Sequence, residues 1–346
     1  MKFQNLFDLA RLPYFEVKDG RLVLADRSLG PVCDVHTHLA LGYGRKVRVD
    51  LMRETEGAEL YLRGDKPLDF DVYMNKNYAP HDLAAIERDM TREALGPNGM
   101  RATHTIPNLL RDMDDLAVTR SVLLPIDFPI FSKNSETWLD LTKDKPDFVC
   151  FGSVHPYHFG MKAHLDALIA MGARGLKYHP AVQMVGPDDD RAMKLFRLAG
   201  ERNLPVLFHC GPVDIETKMG RRLSQVKRYE RALAENPGTT FVLGHSGALQ
   251  MDEAVAFAKK YDNVYYEIAS QSLPAVEKLI ETLPPGRLMC GSDWPFYHLA
   301  IPIAKVLLAT EKDPAARRAV LYDNAARLFR LPPASGLTGT STSRPS

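Results

Sequence analysis

The sequence predicts an α/β protein in which eight short strands close into a parallel (β/α)8 barrel of TIM type, with a long insertion after the first strand. Three observations predict it. From residue 31 onward, short runs rich in Val, Ile, Leu and Phe alternate with longer amphipathic stretches, the pattern of successive β-α units. The runs number eight, the count that closes a barrel. No Gly-rich phosphate loop follows the first run, as an open doubly wound sheet would normally show.

The predicted strands are 31–38, 120–125, 148–154, 173–179, 205–209, 239–244, 263–268 and 287–291. Helical stretches are expected at about 132–144, 160–171, 189–202, 218–235, 249–260 and 272–283, with two more at 298–311 and 314–330. Residues 1–30 form an N-terminal extension, with a hairpin expected around Lys18, Asp19 and Gly20. The barrel domain runs from 31 to 331. It includes the insertion 40–118, with helical pieces at 81–95 and 105–118, which is expected to sit over the catalytic face as a lid or substrate-selecting element, against the alternative of a surface elaboration such as an oligomer contact. The tail 332–346, rich in Ser, Thr, Gly and Pro, is expected to be disordered.

Composition narrows the function classes. The chain has 346 residues, 45% hydrophobic and 25% charged, enough for a large core. A net charge of +1 without a concentrated basic patch argues against nucleic-acid and anionic-membrane partners. No apolar run approaches the ~20 residues needed to span a bilayer. The N-terminus makes a poor signal peptide, and the four cysteines (Cys33, Cys150, Cys210 and Cys290) lie in apolar strand-like segments, as reduced thiols do. The expected compartment is the cytoplasm.

The residues that end the strands carry the chemistry. His36 and His38 are two apart on the first strand, so both face one side, with Asp34 a layer deeper. The fourth strand ends in Lys177-Tyr178-His179-Pro180, the fifth in Phe208-His209-Cys210-Gly211, the sixth in Gly244-His245-Ser246-Gly247 and the eighth in Gly291-Ser292-Asp293-Trp294-Pro295. A barrel gathers these ends at one mouth. Imidazoles and a carboxylate converging there are transition-metal ligands.

In this order, DVHTH, KYHP, FHCG, GHSG and GSDWP resemble the amidohydrolase superfamily. Together with the closing NAARLF (Asn324–Phe329), they are similar to its aminocarboxymuconate-semialdehyde decarboxylase-like branch of amidohydrolase-related proteins. The resemblance covers roughly 31–331. It implies His36, His38, His209 and Asp293 as metal ligands, with Asp293 also taking a proton from water. It implies His245 as a general acid or base. One divalent ion is expected, zinc first and manganese second. A second metal bridged by a carboxylated Lys177 is the less favoured alternative, and Lys177, His179 and His245 could instead meet substrate. Zinc would lower the pKa of a bound water from 15.7 toward ~7.

Arg221, Arg222 and Lys227 after the fifth strand, and Arg45 and Arg48 after the first, are candidates to hold a substrate carboxylate, each against a solvated-face alternative. Trp294 and Tyr297 are candidate pocket walls, and His155 and His158 read as structural or peripheral. The leading expectation is a metal-dependent hydrolase of a small-molecule amide, ester or lactone bond. The alternatives are a non-oxidative decarboxylase of an aromatic or muconate-type acid, and a non-catalytic binding barrel. A small-molecule partner and a homodimer are expected from the resemblance.

Overall fold

The computed structural model describes residues 1–42, 47–92, 95–128 and 132–331. At its centre lie eight parallel strand positions: β1 Val32–Thr37, β2 Val118–Leu123, β3 in two segments (Phe148–Cys150 and Gly152–Ser153), β4 Leu176–Tyr178, β5 Val206–His209, β6 Phe241–Gly244, β7 Val264–Glu267 and β8 Leu288–Met289. Every predicted strand is present. The first segment of β3 pairs with β2 and the second with β4, so β3 joins a three-strand and a six-strand array. Between β8 and β1 the barrel closes: Thr37 bridges Trp294 in parallel, and Val35 N donates to Cys290 O at 2.9 Å.

The α-helices are α1 Pro80–Thr91, α2 Ile106–Asp115, α3 Asn134–Thr142, α4 Met161–Ala170, α5 Pro180–Gln183, α6 Asp190–Gly200, α7 Lys218–Leu223, α8 Glu230–Glu235, α9 Met251–Ala256, α10 Leu273–Thr282, α11 Ala300–Ala309, α12 Pro314–Arg318 and α13 Asn324–Phe329. Two stretches expected as single helices are broken, and in each a backbone group is spent on a neighbour. Between α7 and α8, Ser224 O accepts from Gly211 N at 3.0 Å and Val226 N donates to the Gln250 side chain at 3.0 Å. Between α12 and α13 a π turn, Ala319–Asp323, directs Val320 O to Cys290 N at 2.9 Å.

Alternation along the strands sorts the side chains. Tyr178 and Phe208 face the helices and pack edge-on with Phe196, while their neighbours Lys177 and His209 turn the other way. The N-terminal hairpin pairs Phe15–Lys18 with Arg21–Leu24. Its turn residues, Asp19 at φ 51° and Gly20 at φ 73°, have the double positive φ of a type I′ turn. The extension is not loose. Phe3, Leu6, Leu9 and Leu22 are buried, and Lys2–Phe3 pairs antiparallel with Leu68–Asp69 of the insertion. All four cysteines are buried and free. No helix among the described residues is long and apolar enough to cross a membrane. The expected disordered tail and Arg45 lie outside the described residues.

Candidate active site

The strand ends meet at one mouth. His36 Nε2 and His38 Nε2 lie 3.5 and 3.3 Å from the same oxygen of Asp293. All three residues are buried, and their ligand atoms lie within 4.8 Å of one another. Asp293 reaches that point because the backbone turns sharply after β8. Its φ is 64°, in the left-handed region that costs most residues energy but is least unusual for Asp, Asn and His, and its N donates to His36 O at 2.8 Å. His245 makes the same turn after β6, at φ 57°. The motif glycines serve close approach: a Cβ on Gly211 (φ 87°) would lie 1.9 Å from Gly247 O, and one on Gly291 would lie 2.3 Å from Glu267 Oε2.

Hydrogen bonds on the far side of each ring assign the tautomers. His38 Nδ1 donates to Leu124 O at 2.7 Å, a partner that can only accept. His36 Nδ1 donates to Glu267 Oε1 at 2.9 Å. His245 Nδ1 donates to Ala269 O at 3.4 Å, which leaves its Nε2 to accept from His209 Nδ1 at 3.1 Å. His36, His38 and His209 therefore all keep a lone pair on Nε2. This is the donor set a divalent metal needs, with outer partners that fix ring orientation. His209 falls outside the compact His36–His38–Asp293 group. It adjoins His245 instead and stacks on His179, with centroids 4.0 Å apart.

Glu267, the last residue of β7, was missed in the sequence. It is fully buried and accepts from His36 Nδ1, from His245 N and, at 2.6 Å, from Ala269 N. Burial pushes its pKa up to about 8, against the pull of those backbone donors. The available signal was a lone carboxylate in the apolar run Val264-Tyr265-Tyr266-Glu267-Ile268. Asp34 holds the β8 turn by accepting from Ser292 N at 2.9 Å, from Ser292 Oγ and from His36 N at 3.0 Å. Burial raises its pKa to about 7.

Lys177 is fully buried, with Nζ 3.1 Å from His36 Nε2. Burial lowers its pKa to about 8, while Asp293 and Glu267 oppose the shift. Four of the mouth residues are held as neutral imidazoles: burial takes His245 down to about 4 and His36, His179 and His209 well below the usual imidazole range.

Above this floor opens a cavity of about 720 Å³. The insertion supplies much of its wall: Leu41, Tyr61, Leu83, Ile86, Met90 and Arg101. Val213, Ile215, Phe296 and Tyr297 close the other side. Arg101 is committed to the wall itself, bonding Leu41 O at 2.9 Å and the buried carboxylate of Asp89 at 3.2 Å.

Several sequence candidates lie elsewhere. Trp294 does not line the cavity. It is fully buried, and its Nε1 donates to Asp112 Oδ2 at 3.0 Å. Arg221 is exposed and paired with Asp214 and Glu216 of the cavity rim, and Arg222, Lys227 and Arg48 are exposed without lining the cavity. Their long solvated stems explain the miss: a charge after a strand end does not fix which way its side chain turns. His155 spends both ring nitrogens on its own neighbourhood, donating from Nε2 to Gln183 O at 2.8 Å and accepting from Tyr157 N at 3.1 Å. His158 stacks on His164 away from the mouth.

Solved structures share this architecture. The 5-carboxyvanillate decarboxylase of Sphingomonas paucimobilis is 14% identical, with a TM-score of 0.58 over 87% of this chain and 99% of that one. A probable 2-pyrone-4,6-dicarboxylic acid hydrolase of Acinetobacter baumannii is 14% identical, with a TM-score of 0.54 over 87% and 100%. An uncharacterised TIM-barrel protein of Bordetella bronchiseptica reaches 16% and 0.61 over 87% and 98%. At such identities the likeness shows the fold. No curated protein matches by sequence. The model of the family Amidohydro_2, described as amidohydrolase, matches residues 33–331. Because that match runs from the strand bearing His36 to the end of the last helix, the chain belongs to the Amidohydro_2 family of amidohydrolases.

Proposed function

We propose that the protein is a metal-dependent, non-oxidative decarboxylase of a small aromatic or muconate-type acid. The observation that carries the reading is the division of the cavity: imidazoles and a carboxylate at its floor, and Leu83, Ile86, Met90, Val213 and Phe296 in its walls. A substrate carboxylate held against such walls is poorly solvated, and losing carbon dioxide disperses its charge, so the enclosure favours the transition state. The volume suits a substituted aromatic ring. Two solved relatives carry decarboxylase names, for 5-carboxyvanillate and 2,6-dihydroxybenzoate, in support.

His36, His38, His209 and Asp293 would hold one divalent ion, zinc by donor type with manganese as the second choice. When bound, such an ion would supply Lewis acidity toward a substrate oxygen. As the carbon–carboxylate bond breaks, its electron pair stays on carbon, and that carbon must gain a proton. His245, with its ring 4.8 Å from that of His36, holds its own proton on Nδ1 toward Ala269 O, so it would assist by relaying a proton taken up from water at Nε2 once His209 releases that nitrogen. The insertion 40–118 selects the substrate. A single metal, with Lys177 uncarboxylated, a cytoplasmic location and a homodimer complete the reading.

Hydrolysis is the second reading. It is favoured by Asp293, whose oxygen stands between two imidazoles where a carboxylate can take a proton from water. The hydrolase name of the Acinetobacter relative also supports it. Zinc- or manganese-loaded protein incubated with aromatic acids, aryl esters and lactones separates the two. Decarboxylation releases carbon dioxide and places solvent deuterium on carbon; hydrolysis places solvent oxygen in the product acid. Loaded protein that does neither across the panels sinks both.

A further inference from the structure

One mouth histidine is wired the opposite way from the rest. His179 lies one residue past β4 and lines the cavity. Its Nδ1 accepts from Val182 N at 3.3 Å, and a backbone N–H can only donate. In the neutral ring the proton therefore sits on Nε2. Among the described residues nothing accepts from that Nε2. The ring is fixed by its stack on His209, tilted by only 6°. Its backbone is clamped on both sides: His179 N donates to Gln183 Oε1 and Gln183 N to His179 O, each at 2.9 Å.

His36, His38 and His209 present a lone pair to the mouth, whereas His179 presents an N–H. We propose that His179 is a donor to a substrate oxygen, of a carboxylate or acyl group, and not a metal ligand. The proposal rests on the metal-centre reading above for what surrounds it, but its core, the inverted tautomer, stands on the Val182 contact. Ligation through Nε2 would require the ring to give up the Val182 bond and move its proton to Nδ1. Donation to substrate requires no change. The stack on His209 would place the donor beside the metal-bearing face, where a substrate anion oriented by the ion meets a second, neutral anchor.

The test is nitrogen-15 NMR of histidine-labelled, full-length protein, with His179 assigned from the His179→Gln variant. Expected in the metal-free protein is a pyridine-type Nδ1 and a pyrrole-type Nε2 for His179, the reverse of His38. Zinc should then move the Nε2 signals of His36, His38 and His209 and leave the His179 tautomer in place. An Nδ1–H tautomer at His179, or a zinc-coordinated His179 Nε2, overturns the proposal. Failure of the metal-centre reading shows separately, as zinc leaving the His36, His38 and His209 signals unmoved.

Binding of benzoate, a bare aromatic carboxylate, to the zinc-loaded protein supplies the second readout. His179→Leu should weaken it about tenfold or more, the loss expected for one hydrogen bond to a charged group. His179→Gln, which returns an N–H near the Nε2 position, should recover most of that loss. Both variants should bind zinc within about twofold of wild type, since neither removes a lone pair the ion uses. Benzoate binding to His179→Leu as tight as to wild type, or loss of zinc from both variants, overturns it.

Discussion

The floor and the roof of the cavity are built on opposite plans. The floor consists of strand ends: His36, His38, His209, His245 and Asp293 sit where neighbouring strands hold the backbone on both sides, and each ring is locked by a second bond behind it. The roof comes from the insertion, through Leu41, Tyr61, Leu83, Ile86 and Met90, apolar side chains on helix α1 and on irregular segments. The polar anchors of that roof are tied to its own frame. Arg101 and Tyr61 both bond the buried Asp89, and Asn75 bonds Val213 O and the Tyr297 hydroxyl. The contrast teaches a division of labour. Strand ends make a polar floor fixed from behind, and the insertion makes a largely apolar cover over it.

Substitutions on the two sides should separate cleanly. The largest effect is expected at Asp293→Ala, which removes the carboxylate shared by His36 and His38. Turnover should fall by about a thousandfold or more, with metal content falling in parallel by elemental analysis. A variant that keeps both would break the assignment of the floor.

Next is Glu267→Gln, which keeps the shape but weakens the acceptor that orients His36. Metal affinity should drop about 10–100-fold, the usual cost of losing an outer partner, with circular dichroism unchanged. An unchanged affinity would show that the carboxylate behind His36 is only a packing element.

On the roof, Ile86→Trp should cost aromatic-sized substrates about tenfold in kcat/KM while metal content stays at wild type. Metal loss there would erase the distinction between the two regions.

A smaller effect is expected where the regions join. Lys305 on α11 is buried, donates to Gln271 O at 2.6 Å and lies 4.9 Å from the Phe70 ring of the insertion. Burial lowers its pKa to about 7 from an ordinary 10.5. The folded state therefore binds fewer protons than the unfolded chain between those values, and this residue adds stability as pH rises through that window, by at most about 1.4 kcal/mol per unit. Urea unfolding at rising pH should move the comparison with Lys305→Met in favour of wild type; a constant difference would refute the shift. The smallest effect is predicted for Arg222→Ala. This exposed residue was a sequence candidate for substrate binding, and kinetics should stay within about twofold.

The barrel was legible because hydrophobic periodicity is local: each buried strand needs a run such as Val206-Leu207-Phe208, and each run sits where it was expected. The mouth residues were legible because strand alternation and barrel closure dictate where a side chain two apart, or at a C-terminal end, must point. Orientation beyond that was not. Trp294 follows Asp293 directly, yet alternation and the turn at Asp293 send its ring to Asp112 instead of the cavity. Arg221 follows the right strand but is held by Asp214 and Glu216.

The sequence by itself determined the eight-strand barrel, the set of mouth residues and the membership of an amidohydrolase family. Only the tertiary structure decided the role of Glu267, the apolar roof and the tautomers that set His179 apart from His36 and His38. Pattern and spacing are properties of a chain segment, whereas a tautomer depends on what lies behind the ring. For His36 that partner is 231 residues away, and no local signal encodes it.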